Sequence, residues 1–380
     1  MTEAAGWERP GFFGAPGTTP TVQYSYGKPS WFANVRDECR NTMENVTLFD
    51  HSCFIKYEVE GRDALRILNS VCANEIDVPV GKVVYTQWLN GKGGIEADVT
   101  VTRLSDTSFL IVTIAISQRR DIVWLKRHIP DEAHVFVRDV TSAMPMLALM
   151  GPKARGLLSA ISPADFSDAA FPFGTSREID LGYARARASR LTFVGEQGFE
   201  LYMPTEFAGH VFDEIVAAGK AFGLRMGGFF AINSLRMEKG YRHWSHDIGE
   251  EDTPYHAGLG FAVALNKSGG FIGREALLQQ KAAGPVTRRM VQLRVPGGEA
   301  PMLHHNEPIL RDGVIVGSVT SGAWGHRVGA SLGLGYVSHE AGVSEAWLGS
   351  GTWEVEVAWK RYPVEVQLRP WYDPKGERLK

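Results

Sequence analysis

Polar and apolar positions alternate in some stretches of this chain and recur every three or four residues in others, and the two periods separate strands from helices. Residues 54–61, Phe-Ile-Lys-Tyr-Glu-Val-Glu-Gly, read as a half-buried strand closed by a glycine turn. Asp63 then stands where a helix cap belongs. Leu65, Leu68 and Val71 follow at spacings of three, the apolar face of a helix expected to end near Glu75. The same reading gives a helix at 34–45, strands at 83–89, 95–104 and 109–114, and helices at 118–128, 152–161, 206–222 and 231–238. Asn90-Gly-Lys-Gly-Gly94 joins two of the strands as a hairpin turn that demands positive φ. A second glycine hairpin is expected from strand 190–194, turn Gly195-Glu-Gln-Gly198 and strand 199–203.

Past Ala282-Ala-Gly-Pro285 the apolar runs become short and strand-like, at 290–295, 308–310, 314–320, 353–359 and 364–368. Turn residues separate them at short intervals, as in a small antiparallel β-barrel. This places a boundary near residue 280, between a region 1–280 and a C-terminal barrel, 281–380. Blocks of strands and blocks of helices indicate an α+β fold rather than a doubly wound parallel sheet. No period of 20 to 50 residues repeats, which excludes a solenoid.

Composition narrows the partners. Of 380 residues, 44% are hydrophobic and 22% charged, and Lys+Arg 40 against Asp+Glu 43 leaves a net charge of -3. Such a chain has no global field to draw it to nucleic acid or an anionic membrane, so a small-molecule partner is expected. No run of about 18 apolar residues and no signal-peptide core is present, and the expected location is cytoplasmic. Cys39, Cys53 and Cys72 form neither a disulfide framework nor a zinc knuckle.

Both glycine turns place a carboxylate just beyond them, Asp98 after Gly93-Gly94 and Glu200 after Gly198. Backbone approaches a flat ligand closely at glycine, and an adjacent carboxylate accepts two hydrogen bonds from an amidine-like edge such as a pterin presents. Each acid taken alone reads more readily as a solvated residue at a strand end. Tyr85, Trp88, Phe199, Tyr202 and Trp244 are aromatics able to stack on a planar heterocycle. Arg236 could pair with a buried acid or a carboxylate tail. His243, His246 and Asp247 form an H-x-x-H-D cluster, but no HExxH or cysteine partner accompanies it, and no metal is expected. GxSxG, GxxxxGK[ST] and strand-following GxGxxG signatures are absent.

Seven motifs, in order, resemble the aminomethyltransferase family, which comprises the T-protein of glycine cleavage and the folate domain of dimethylglycine and sarcosine dehydrogenases. They are Leu48-Phe-Asp50, Val59-Glu-Gly-Arg-Asp-Ala64, Tyr85-Thr-Gln-Trp-Leu-Asn90, Gly93-Gly-Ile-Glu-Ala-Asp98, Gly195-Glu-Gln-Gly-Phe-Glu200, Asn233-Ser-Leu-Arg-Met-Glu238 and Gly317-Ser-Val-Thr-Ser-Gly322. Gly6-Trp-Glu-Arg-Pro10 and Tyr26-Gly-Lys-Pro-Ser-Trp-Phe32 resemble the dimethylglycine dehydrogenase branch in particular. Two positions depart from other branches. Ile232 stands where the T-protein branch carries an arginine, and Glu238-Lys-Gly-Tyr-Arg-His-Trp-Ser245 lacks the cysteine of the iron-sulfur-assembly folate binders.

The resemblance implies a three-lobed ring with tetrahydrofolate in its centre, two interleaved lobes of it in the region 1–280. It implies that the pterin is held by Glu200, that Asp98 faces the reactive nitrogens as the catalytic acid or base, and that Tyr85, Gln197, Gly198 and Phe199 make further folate contacts. The residue reading adds Tyr202, Arg236 and Trp244 to the folate-binding set. The activity so implied is capture of a methylene or aminomethyl unit from an oxidised N-methyl amine, giving 5,10-methylenetetrahydrofolate, with a separate flavoprotein dehydrogenase as partner. The alternatives are direct demethylation of an N-, O- or S-methyl donor to 5-methyltetrahydrofolate, and a non-catalytic folate-binding subunit.

Overall fold

In the computed structural model, which describes residues 1–379, the alternating run 54–61 folds as strand Ile55–Glu60. It lies in a five-stranded antiparallel sheet ordered Val83–Leu89, Ile95–Arg103, Ser108–Thr113, Ile55–Glu60, Phe136–Asp139. Tyr57, Trp88, Val99 and Phe109 on one face bury against Leu68 and Val71 of helix Ala64–Val71 and Leu125 of helix Gln118–Arg127. The first of these helices stops at Val71, short of Glu75. Asp63 precedes it without capping it, because its carboxylate instead accepts the backbone N–H of His134 at 2.8 Å.

The second sheet has six strands, Ser176–Leu181, Ala184–Ser189, Gly198–Tyr202, Met146–Met150, Val46–Asp50 and Leu224–Gly227, with only the last pair parallel. One face packs on helices Ala154–Ile161 and Ala208–Gly219 through Leu157, Leu158, Val211 and Ile215. Helices Phe32–Glu44 and Phe229–Glu238 cover the other through Val35, Cys39, Ala231 and Leu235. The expected strand 190–194 does not form. Arg190 is buried, donates to the Phe171 carbonyl and pairs with Asp168 at 2.6 Å; its backbone still bonds Thr175 and Gly174, and the chain leaves the sheet after it. The strand paired with Gly198–Tyr202 is therefore Ala184–Ser189, and 190–197 is a connecting loop. Val46–Asp50 and Met146–Met150 escape a period-two reading because nearly every residue in them is buried.

The third sheet is antiparallel throughout, ordered Lys360–Pro363, Trp353–Val357, Pro308–Arg311, Val314–Gly325, Ala330–Ser338, Arg288–Val295, Glu365–Gln367. Its two edge strands are neighbours in the chain, separated only by Val364, so the sheet curls until its edges nearly meet. A register shift between Val319 and Ser321 bends its longest strand. The fold is α+β, with the curled C-terminal sheet expected from the short apolar runs.

A central core joins the first and third sheets to helix Phe229–Glu238, containing Leu89 and Ile95 from the first sheet, Met237 from the helix, and Met290, Leu334 and Tyr336 from the third. The segment that follows the third sheet then returns to the second. Tyr372 donates its N–H to the Glu238 carbonyl, Asp373 pairs with Lys239 at 3.0 Å, and the Leu379 carbonyl accepts from Arg190. The Tyr372 hydroxyl donates to Glu196, which also pairs with Arg327 at 2.6 Å, so this segment holds down the loop that leads into Gly198.

Candidate active site

The hairpin between Val83–Leu89 and Ile95–Arg103 sets Gln87 directly opposite Asp98, with Tyr85 one pair further on against Thr100. Paired residues share a face, so Tyr85, Gln87 and Asp98 all project away from the helices and toward the other sheets. Gly94 fixes the hairpin against its surroundings. A Cβ there would fall 1.8 Å from the Glu250 carbonyl oxygen, inside the loop whose Gly249 and Asp252 carbonyls receive the Ile95 N–H. Gln87 Nε2 donates to Asp98 Oδ1 at 2.9 Å, while the buried Gln87 Oε1 has no partner among the described residues. Burial pushes the Asp98 carboxyl up to about 6, against the pull of Gln87, Tyr85 and the Arg242 guanidinium, all of which favour its ionised form. Arg242 is held in place by its Nε bond to the Ala257 carbonyl and its Nη1 bond to the Gly240 carbonyl.

Glu200 lies on strand Gly198–Tyr202, where alternation puts Gly198, Glu200 and Tyr202 on one face. Gly198 is required there because a Cβ would meet Met150 Sδ at 2.2 Å and the Leu149 carbonyl at 2.8 Å. The Tyr202 hydroxyl donates to Glu200 Oε2 at 2.6 Å. Burial drives the Glu200 carboxyl up to about 7, with only that tyrosine bond opposing it.

The two acids belong to faces that pack on each other. Leu110 and Val112, in the cross-strand rows of Thr102 and Thr100, contact Met146 and Tyr202 of the second sheet in a shared apolar cluster. Asp98 and Glu200 therefore project into the same space between two sheets. Each keeps part of its surface accessible.

The structure places the remaining expected residues unevenly. Trp244 joins the Asp98 hairpin, donating Nε1–H to the Ile95 carbonyl at 3.1 Å with the Arg120 guanidinium 4.7 Å over its ring. Gln197 sits in the loop before Glu200 and spends its amide on the Pro152 carbonyl at 2.6 Å. Phe199 points the opposite way from Glu200. Its ring stacks edge-on with Phe166 and Phe171 in the helix-covered core, so only its backbone faces the site. Arg236 is committed elsewhere as well, with Nε on Asn233, Nη1 on the Tyr241 carbonyl and an ion pair to Asp247 at 2.6 Å. Asp247 also accepts from His243 N and Thr320 Oγ1, so it braces a loop, and no cluster of three or more potential metal ligands occurs among the described residues. Sequence reading missed Gln87 and Arg242. Gln87 carried a signal, the alternation that puts it on the Tyr85 face; Arg242 sits in an aperiodic loop and carried none.

The buried acid predicts a stability signature. Folding raises the Glu200 pKa, so it favours the neutral form, and its contribution is complete at low pH and lost as pH rises through about 7. Glu200→Gln, permanently neutral, is expected to unfold with the wild type's stability at pH 4 and to exceed it at pH 8 by on the order of 1–3 kcal/mol. Urea melts at the two pH values measure this, and a variant less stable at pH 8 would contradict a desolvated Glu200.

Comparison with known proteins decides the family. Residues 1–267 match the GCVT N-terminal domain, and residues 288–373 match the glycine cleavage T-protein C-terminal barrel domain. The chain belongs to the glycine cleavage T-protein family. Within that family it is 43% identical over all its length to 4-methylaminobutanoate oxidase (formaldehyde-forming) of Paenarthrobacter nicotinovorans, of which it covers 45%. It is 33% identical to human mitochondrial dimethylglycine dehydrogenase over 96% of its length and 42% of the relative's. It thus spans less than half of these relatives. An aminomethyltransferase of Listeria monocytogenes matches at 32% over 90% of both chains. The crystal structure of aminomethyltransferase T of the glycine cleavage system from Bartonella henselae superposes with a TM-score of 0.82 at 24% identity, covering 98% of this chain and 94% of that one, which shows a common fold. The T-protein resemblance drawn from seven motifs is thereby confirmed along nearly the whole chain.

Proposed function

We propose that this chain binds tetrahydrofolate between its first two sheets and transfers to it a one-carbon unit from an oxidised N-methyl amine, giving 5,10-methylenetetrahydrofolate. Two desolvated acids facing one intersheet space, Asp98 near pKa 6 and Glu200 near 7, carry this reading. The residues suit the ligand: the orphaned Gln87 Oε1 can accept an N–H, and Glu200 has one oxygen not bonded to Tyr202. Bound tetrahydrofolate would supply the nucleophilic nitrogens. Glu200 accepts hydrogen bonds from the amidine edge of the pterin, and Asp98, oriented through Oδ1 by Gln87, takes up the proton released as a nitrogen acquires carbon. A carboxyl titrating near 6 is ionised at neutral pH yet holds a proton readily, as a reversible acid-base group requires.

The relatives support the donor class. One is an oxidase of an N-methylated amino acid, of which this chain spans 45%, and another is an aminomethyltransferase matched over 90% of both chains. A flavoprotein dehydrogenase, carried elsewhere or on a separate chain, is the proposed source of the oxidised amine. The boundary near residue 280 remains part of the proposal, supported by the interval between the two matched segments, which end at 267 and begin at 288.

Mixing purified protein with tetrahydrofolate, dimethylglycine and a dimethylglycine-oxidising flavoprotein should yield 5,10-methylenetetrahydrofolate by mass spectrometry. Formation of 5-methyltetrahydrofolate without the flavoprotein would replace this reading with direct demethylation.

A further inference from the structure

A second group of polar residues borders the same intersheet space and has no role in the chemistry above. His51 is almost wholly buried, walled by Phe54 at 5.0 Å, Phe229 at 6.0 Å and Phe49 at 6.1 Å between ring centroids, and neither of its ring nitrogens has a hydrogen-bond partner among the described residues. A buried imidazole with both nitrogens idle costs free energy unless a ligand uses them. Beside it stands Arg9, its guanidinium carbon 4.0 Å over the Phe229 ring and its Nε buried and unpartnered. Lys56, fully buried, spends its ammonium on one bond, to the Ser52 carbonyl at 2.9 Å. The acids nearest Lys56 are already engaged, Asp50 with Ser52 N and Asp139 with Gln118 and Thr141. Neither cation forms an ion pair among the described residues, and His51 is held neutral, with its pKa lowered to about 4 by burial and by these two charges.

We infer that Arg9, His51 and Lys56 form a subsite for a carboxylate, with Arg9 and Lys56 supplying charge and His51 an N–H. The inference rests on the folate-transferase reading for its setting. His51 is one strand beyond Met146, which pairs with Tyr202, and Lys56 is one strand beyond Val112, which pairs with Thr100. The subsite therefore lies about two inter-strand spacings, roughly 10 Å, from the Glu200 and Asp98 strands. The backbone just after Arg9 is fixed, since the carbonyls of Pro10 and Gly11 accept the N–H groups of Phe229 and Phe230 and tie the segment to the start of that helix. Arg9 itself remains partly accessible, which gives an anion a way in along the guanidinium. Two molecules at this site would bring a carboxylate, tetrahydrofolate through its glutamate and an amino-acid donor through its own.

The test compares ligands with and without the carboxylate by titration calorimetry on wild type, Arg9→Gln, Arg9→Lys and His51→Leu, with thermal melting to confirm folding. If the glutamate is the occupant, Arg9→Gln and His51→Leu weaken tetrahydrofolate by about 10- to 100-fold, leave tetrahydropterin unchanged, and Arg9→Lys recovers most of the loss. If the donor is the occupant, the same loss falls on N,N-dimethylglycine and spares N,N-dimethylethanolamine, with tetrahydrofolate affinity intact. Equal effects on ligands with and without the carboxylate, or no effect on any, would overturn the subsite. Wild-type binding of tetrahydropterin reports on the folate site separately, so its loss would count against the proposed function and not against the subsite.

Discussion

Asp98→Asn is expected to lower turnover by about 10²- to 10⁴-fold, the range for removing a positioned acid-base group, while the tetrahydrofolate dissociation constant changes by less than about threefold. Asparagine keeps the size of the carboxylate and can still meet Gln87, but it cannot take up a proton. The wild-type rate should rise with pH through about 6 on its acid side, as Asp98 loses its proton, and that limb should vanish in the variant. Stopped-flow transfer assays between pH 5 and 8 read both quantities. A variant that turns over at the wild-type rate would remove Asp98 from the chemistry.

The largest stability effect is expected at Arg236→Leu. Arg236 and Asp247 are both sealed from solvent, 2.6 Å apart, and Asp247 takes two further bonds from His243 N and Thr320. Removing the arginine leaves a buried carboxylate without its counter-charge, a change that costs about 3–5 kcal/mol. The double variant Arg236→Leu with Asp247→Asn should regain much of that loss, since no charge is then stranded. Equilibrium urea unfolding of the single and double variants makes the comparison. A single variant within about 1 kcal/mol of wild type would show that the pair is dispensable.

Periodicity revealed the parts of the fold where one face carries polar side chains. Ile55–Glu60 and the 83–103 hairpin alternate and were legible, and the candidate acids Asp98 and Glu200 were picked out by the glycines that precede them. Strands with both faces covered gave no alternation: Val46–Asp50, Met146–Met150 and Ala330–Ser338 are buried nearly throughout. The supposed strand 190–194 shows the reverse error. Its apolar residues serve a loop whose path is set by Arg190 and Asp168, a contact between residues far apart in sequence and invisible to local pattern. The site followed the same division. Residues on regular strands could be assigned a face, whereas the commitments of Arg236 to Asp247 and of Phe199 to Phe166 and Phe171 depend on which elements pack together. Arg242 influences Asp98 from a loop, and only the assembled molecule brings them near.

The return of residues 371–379 to the second sheet has a consequence for how the molecule is made. The loop from Arg190 to Gln197 is fastened by Tyr372 and Leu379, which leave the ribosome long after Leu224–Gly227, the last strand of that sheet. Throughout synthesis of the third sheet the strands of the second are therefore complete while the C-terminal contacts to this loop are still missing. Completion of this loop's contacts is in this sense deferred until a distant stretch of chain has been translated. A chain arrested within the third sheet would carry all six strands of the second without the Tyr372 and Leu379 contacts to the loop that leads into Gly198.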